Sequence, residues 1–163
     1  MDKFMADLEK AIVIKIIGQT EEYAKAVALN LYRDISATAN EAGGLFGSPL
    51  WSGRFRASNN ISVGSPDFSF LPPNPAAGRY PNAVNPQYPS NKISDAAAKI
   101  RSLKLGQVVF IANGLPYAKR IELDGWSAQV PNGVYSVAKE RAIQKFDGIK
   151  LKNLEQLKRL QNG

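Results

Sequence analysis

The sequence contains no cysteine and no histidine. Without cysteine there is no disulfide scaffold and no thiolate nucleophile. Without histidine the chain lacks the side chain that titrates most readily near neutral pH. The two absences together exclude Ser-His and Cys-His pairs and the usual zinc ligand sets. Catalysis is left with Lys, Tyr, Ser and 14 carboxylates, which disfavours an enzyme and implies no cofactor. Long apolar runs are missing too. The longest, Ala11-Ile12-Val13-Ile14-Lys15-Ile16-Ile17, is too short to span a bilayer and is broken by Lys15, so no membrane role is expected. Asp2, Asp7 and Glu9 stand where a signal peptide carries positive charge, and the expectation is a protein made and kept in a reducing cytoplasm. There is no internal repeat, phosphate-binding loop, dinucleotide fingerprint, metal cluster or nucleophile elbow.

What the sequence does hold is an ordinary globular balance of apolar and charged residues in 163 positions, enough for one domain with its own core. The formal charge is +7 and is unevenly placed. Residues 1–45 have five Lys/Arg against seven Asp/Glu, residues 46–110 seven against two, and residues 139–163 seven against three. No block of five consecutive basic residues and no basic–aromatic alternation is present, so the surplus reads as a general attraction to polyanions.

Residues 3–17 fit a helical stripe through Phe4, Leu8 and Ile12, while 12–17 also fit a strand. Thr20 is a good N-cap, with Glu21 and Glu22 in the first turn. Ala24, Val27, Ala28, Leu31, Ile35, Ala39 and Ala42 then recur at helical spacing until Gly43-Gly44 stop the helix. Residues 45–53 read as a loop. Residues 54–64 read as a strand with Phe55, Ala57, Asn59, Ile61 and Val63 on one face and Arg54, Arg56, Ser58, Asn60 and Ser62 on the other. Seven of the ten prolines fall in 65–91, yet Phe68, Phe70, Tyr80 and Tyr88 are interleaved with them. A free linker is poorer in aromatics. This segment is either a cover on its own domain or an arm that docks on a neighbouring subunit.

A short helix through Ile93, Ala97, Ile100 and Lys104 follows, capped by Ser90 or Asn91. Gly106 turns it into a strand over 107–113, whose nearly continuous apolar run suits cover on both faces. A helical turn at 116–123 and a helix through Val134, Ala138, Ala142 and Phe146 close the domain. The order predicts an α+β fold: a small antiparallel sheet packed by a long N-terminal helix and a C-terminal helix, with the proline-rich segment as an extended insertion. The domain spans 1–148 and a basic tail spans 149–163. Glu122 and Asp124 could be a catalytic pair, but carboxylates this close are commonplace, and a turn acid with a salt-bridge acid is the favoured reading.

Two segments carry a resemblance. Ser48-Pro49-Leu50-Trp51-Ser52-Gly53-Arg54-Phe55-Arg56-Ala57-Ser58 is similar to a Thr-Pro-x-x-Thr-Gly-Arg-x-Arg-x-Ser signature. The stretch from Val109-Phe110-Ile111-Ala112-Asn113 through Pro116-Tyr117-Ala118 and Asp124-Gly125 to Ser127-Ala128-Gln129-Val130-Pro131-Asn132-Gly133 resembles a second. Both belong to small neck and tail-completion proteins of long-tailed bacteriophages. With the helix spacing, the likeness spans 20–64 and 105–146. The departures are Ser at 48 and 52, an inserted Leu before Asp124, and the basic tail.

The resemblance implies a non-enzymatic virion protein at the head–tail junction, built as a homo-oligomeric ring. It implies six copies at a tail-completion position or twelve as an adaptor under the portal. The ring touches other neck and tail proteins and leaves an axial path for DNA. On that reading Arg54, Arg56, Tyr117, Glu122, Asp124 and Trp126 are interface residues, with the arginines bridging to Glu122 or Asp124 of the next copy. The plainer alternatives are a solvated strand edge for the arginines and a core plug for Trp126. Phe68, Phe70, Tyr80 and Tyr88 are arm contacts, and Lys150, Lys152, Lys158 and Arg159 face DNA or a neighbouring ring. A different class, a small basic DNA-binding protein, rests on the charge alone. A salt titration separates the two. Loose duplex binding that falls steeply between about 50 and 200 mM salt is expected here, and tight sequence-selective binding would favour the DNA reader.

Overall fold

The computed structural model describes residues 20–39, 42–74, 88 and 93–146. The expectations for 1–19, for Tyr80 with most of the proline-rich segment, for the Ser90 or Asn91 cap, and for the tail with Lys150, Lys152, Lys158 and Arg159 lie outside them. The fold is α+β. In order, α1 covers 20–36, α2 is Arg54–Ala57, β1 Asn59–Val63, α3 Ile93–Arg101, β2 Val109–Asn113, α4 Ala118–Leu123, and α5 covers 135–146. The two strands pair antiparallel, with Asn59 opposite Asn113 at one end and Val63 opposite Val109 at the other.

The amphipathic stripe of α1 does what its spacing predicts. Ala28 and Tyr32 pack with Ile61, Ala96 and Ile100 over the sheet. One turn on, Ile35 packs with Phe55, Leu115, Ile121, Val134 and Ala138. One helix therefore joins two apolar clusters, and each buried Ile or Phe contributes about 1.5–3 kcal/mol relative to exposure. Two further links tie α1 to α5. Asp34 pairs with Arg141 at 3.0 Å, and the Tyr23 hydroxyl donates to the carbonyl of Phe146.

Expectations change in three places. Thr20 is already helical, so it is not the cap of α1. The helix also stops at 36 rather than at Gly43-Gly44, because Ser48 intercepts it. The Ser48 hydroxyl donates to the carbonyl of Ile35 at 2.6 Å, its N–H donates to Ala37, and its own carbonyl accepts from Ala39. Gly47 makes that approach possible. It sits at φ +101°, and a Cβ there would come within 2.7 Å of the Ala37 carbonyl oxygen.

The second change is in 54–64. The left-handed Gly53 opens a helical turn, α2, so the strand starts only at Asn59. Four residues are too few for a period of 2 to be told from 3.6. The third is β2, which is half-buried along its length rather than covered on both faces. Helices α1 and α3 pack on one face of the sheet, and residues 67–72 cover the other only in part.

Residues 67–72 lie across the polar face of β1, on their own domain. The Asn60 amide donates to the carbonyls of Asp67 and Ser69, and the Leu71 N–H donates to the Ser58 hydroxyl. The segment crosses Gly114 so closely that a Cβ there would lie 1.8 Å from the Phe68 carbonyl oxygen. Buried Tyr88 packs on Ala57 and donates to the Pro72 carbonyl.

At the centre is Asn59, fully buried and joined by four hydrogen bonds. Its Nδ2 donates to Ser48 Oγ at 3.0 Å. Its Oδ1 accepts from Asn113 Nδ2 at 2.8 Å and from the Tyr135 hydroxyl at 2.7 Å. Its carbonyl accepts from the Tyr32 hydroxyl at 3.1 Å. Asn59→Ala removes three side-chain hydrogen bonds and takes the acceptor from the Tyr135 hydroxyl, so it is expected to cost about 2–4 kcal/mol, read as a lower urea midpoint. Leu123→Ala, on the surface, is expected to stay within about 0.5 kcal/mol. Equal midpoints for the two variants would refute the central role of Asn59.

Candidate functional site

The loop over 48–53 precedes α2 in the chain, and the loop over 124–133 follows α4. They are clamped together by one side chain. Gln129 accepts the Leu50 N–H at 2.8 Å and donates to the Leu50 carbonyl at 3.1 Å, as a neighbouring strand would. Between the loops lies a groove of about 610 Å³. Its floor is Phe55 and Ile121, its walls are Tyr117 and Arg54, and Trp51 and Trp126 flank it at 62% and 54% exposure.

The aromatic rings form a graded stack. Phe55 and Tyr117 lie 6.4 Å apart, Tyr117 and Trp126 6.0 Å, and the Arg120 guanidinium covers Trp126 at 4.6 Å. Such pairs add about 0.5–1.5 kcal/mol each beyond area burial, so the exposed Trp126 is held in place. Trp126 is thus neither a core plug nor a loose surface ring. The Tyr117 phenol is pushed above its ordinary value by burial, partly offset by the charge and hydrogen bond of Arg54. Arg54 also donates to the Leu71 carbonyl at 2.7 Å and stands over Phe70. It therefore joins the groove to the start of the proline-rich segment.

Of the residues singled out in the sequence, Arg54, Tyr117 and Trp126 come together here. Arg56 does not share a face with Arg54: the turn of α2 carries it inward, where it is 5% exposed. Phe68 and Phe70 are exposed on the rim segment, while Tyr88 is buried. Asp124 is exposed at the end of α4. Trp51, Gln129 and Ser48 lie within the two motifs, but the sequence alone gives them no role, because a clamp between two loops has no sequence period.

Glu122 has a different duty from its neighbour. Its carboxylate accepts the N–H groups of Val134, Tyr135 and Ser136 at 2.7, 2.9 and 2.8 Å, and the Ser136 hydroxyl as well. It caps α5 from 12 residues upstream. Gly133 leaves it room, since a Cβ there would meet the carboxyl at 2.9 Å. Burial alone would raise its pKa, but the hydrogen bonds from Ser136, Tyr135 and Val134 together outweigh burial and hold it below the ordinary 4.5. A carboxylate so occupied has no lone pair free for proton transfer beside Asp124.

No family model, curated protein or solved structure matches the chain. Among the described residues there is no cluster of metal-ligating side chains and no helix long and apolar enough to cross a membrane.

The lowered pKa of Glu122 has a definite sign. Its contribution is present above 4.5 and is lost as pH falls through the lower folded value. Glu122→Gln is expected to cost about 1 kcal/mol at pH 7, and the gap to the parent protein should close as pH drops below 4.5. Thermal melts of both proteins at pH 7 and pH 3 check this, and a gap unchanged with pH would refute it.

Proposed function

We propose that this protein is a structural part of a bacteriophage virion, working at the head–tail junction as a homo-oligomeric ring. It joins tail to head and leaves an axial channel for DNA. The reading is supported chiefly by one observation. The two segments that carry the likeness to neck and tail-completion proteins lie far apart in the chain, yet they meet in one groove. That groove is walled by aromatics and an arginine, residue types that concentrate binding energy at protein interfaces. It is also rigid before any partner arrives, which lowers the ordering cost of association. On this reading the molecule acts through pressed surfaces and has no bond-making centre. The occupied carboxylate of Glu122 speaks against a catalytic pair with Asp124.

The job also sets the charge requirement. A ring that passes a genome needs a lumen mild enough to release phosphates, and contacts with DNA are then transient and salt-sensitive. Other neck and tail proteins are the partners above and below.

The test is the mass and shape of the purified chain together with its place in particles. A ring of six copies, or twelve for an adaptor, is expected by native mass spectrometry and negative-stain imaging. Peptides of the chain are expected in purified tails of the phage that encodes it. A strict monomer at high concentration, absent from tails, would overturn the proposal.

A further inference from the structure

A second groove, of about 560 Å³, runs along α1. Ala24, Val27 and Leu31 line it from α1, Val109 and Ile111 from β2, and Lys139 from α5. Lys139 is the one charged residue among its described lining. Ala24 is exposed, and Val27, Leu31, Val109 and Ile111 are half-buried. The apolar stripe of α1 is thus wider than the two clusters it fills, and its outer part is left in the groove. More apolar surface lies at the Tyr23 end. Leu105, 51% exposed, donates its N–H to Glu21, and Ile143, 47% exposed, stands one turn on from Lys139. The Tyr23 hydroxyl donates to the Phe146 carbonyl, so α1 begins where α5 ends.

Two stretches of sequence join the described residues at this end, 1–19 before Thr20 and 147–163 after Phe146. They differ in what they must bury. Ala11-Ile12-Val13-Ile14-Lys15-Ile16-Ile17 is the longest apolar run in the chain, and it stops three residues short of Thr20. Its aliphatic side chains carry a strong drive out of water, and the nearest uncovered apolar surface is the groove beside α1. Leu151, Leu154 and Leu157 are each set apart by charged or amide side chains, which leaves a narrower stripe. The reach also fits. From Tyr23 to Ile35 the groove follows α1 for twelve residues, about 18 Å. A helix from Phe4 to Ile16 spans the same twelve steps, and an extended 12–17 spans about 17 Å. Gly18 tolerates either hand of backbone, and the two residues Gly18-Gln19 suit a reversal between neighbouring elements.

We infer that residues 3–17 fold back over this groove within their own chain and cover Ala24, Val27 and Leu31. The contact takes the apolar run and the outer stripe of α1 out of water together. It is local in sequence, so closing it costs little chain entropy. It makes no use of the groove between the tryptophans and does not rest on the ring reading.

The absence of native cysteine lets a single thiol report the cover. Ala24→Cys stands in the groove wall, and Ala26→Cys stands on α1 at an exposed position outside it. Toward a water-soluble maleimide, the thiol at 24 is expected to react about tenfold or more slowly than the thiol at 26. Adding Ile12→Asp and Ile16→Asp is expected to bring the two rates together with unchanged circular dichroism. The milder pair Ile12→Ala and Ile16→Ala is expected to close part of the gap. Leu154→Asp with Leu157→Asp is expected to leave the gap as it was. Equal rates at 24 and 26 in the otherwise unaltered chain would overturn the inference. Release by the Leu154 and Leu157 changes alone would put the tail in the groove and overturn it equally. A gap that fades on dilution would assign the cover to a second copy, against this inference and in keeping with a ring. A gap that persists in a strict monomer would uphold the inference and remove the ring.

Discussion

The structure turns on a buried amide. Asn59 lies where α1, the 48–53 loop, β2 and α5 converge, and its four hydrogen bonds each go to a different one of these parts. In a low-dielectric interior an unpaired amide is costly, so the four parts are held to one arrangement more tightly than apolar contact alone would hold them. Tyr135 shows the depth of the site: burial drives its phenol far above the ordinary range, so it remains a neutral donor. Apolar packing supplies the bulk of the stability, and the network selects which packing.

The consequences spread outward from there. Ser48 is held by Asn59, and in turn it ends α1 and sets the height of the loop that carries Trp51. Asn113 is held by Asn59, and in turn it fixes the Phe55 carbonyl and, through its Oδ1, the Leu115 N–H that leads into Tyr117. The two walls of the groove are therefore positioned by one residue between them. Gln129 closes the far side by imitating a strand edge, and Glu122 fastens the next helix. Under the proposed function such a surface gains from this, because little entropy remains to be lost when a neighbour binds.

The helices were legible. The spacing of Ala24, Val27, Ala28, Leu31 and Ile35 is long enough to beat any competing period, and the same holds for Val134, Ala138, Ala142 and Phe146. Position 109–113 was legible as a strand from its apolar run, but its half-cover was not, since cover depends on how many strands pair. The α2 turn was misread because Arg54-Phe55-Arg56-Ala57 alternates like a strand over four residues, and only the left-handed Gly53 decides otherwise. That misreading moved Arg56 from the surface to the interior. At the groove, the two motif segments meet. Their meeting, and the duty of Gln129, depend on contacts 79 residues apart.

By itself the sequence excluded histidine and cysteine chemistry and determined the amphipathic helices. Residue types absent from a chain cannot be restored by folding, and a stripe of 3.6-residue period buries itself wherever it finds a partner. Only the tertiary structure decided where α1 ends, that Glu122 serves a helix 12 residues on, and that two tryptophans flank one groove. Each of those outcomes is a long-range hydrogen bond or contact. Its free energy exists only once distant parts of the chain have been brought within about 3 Å of one another.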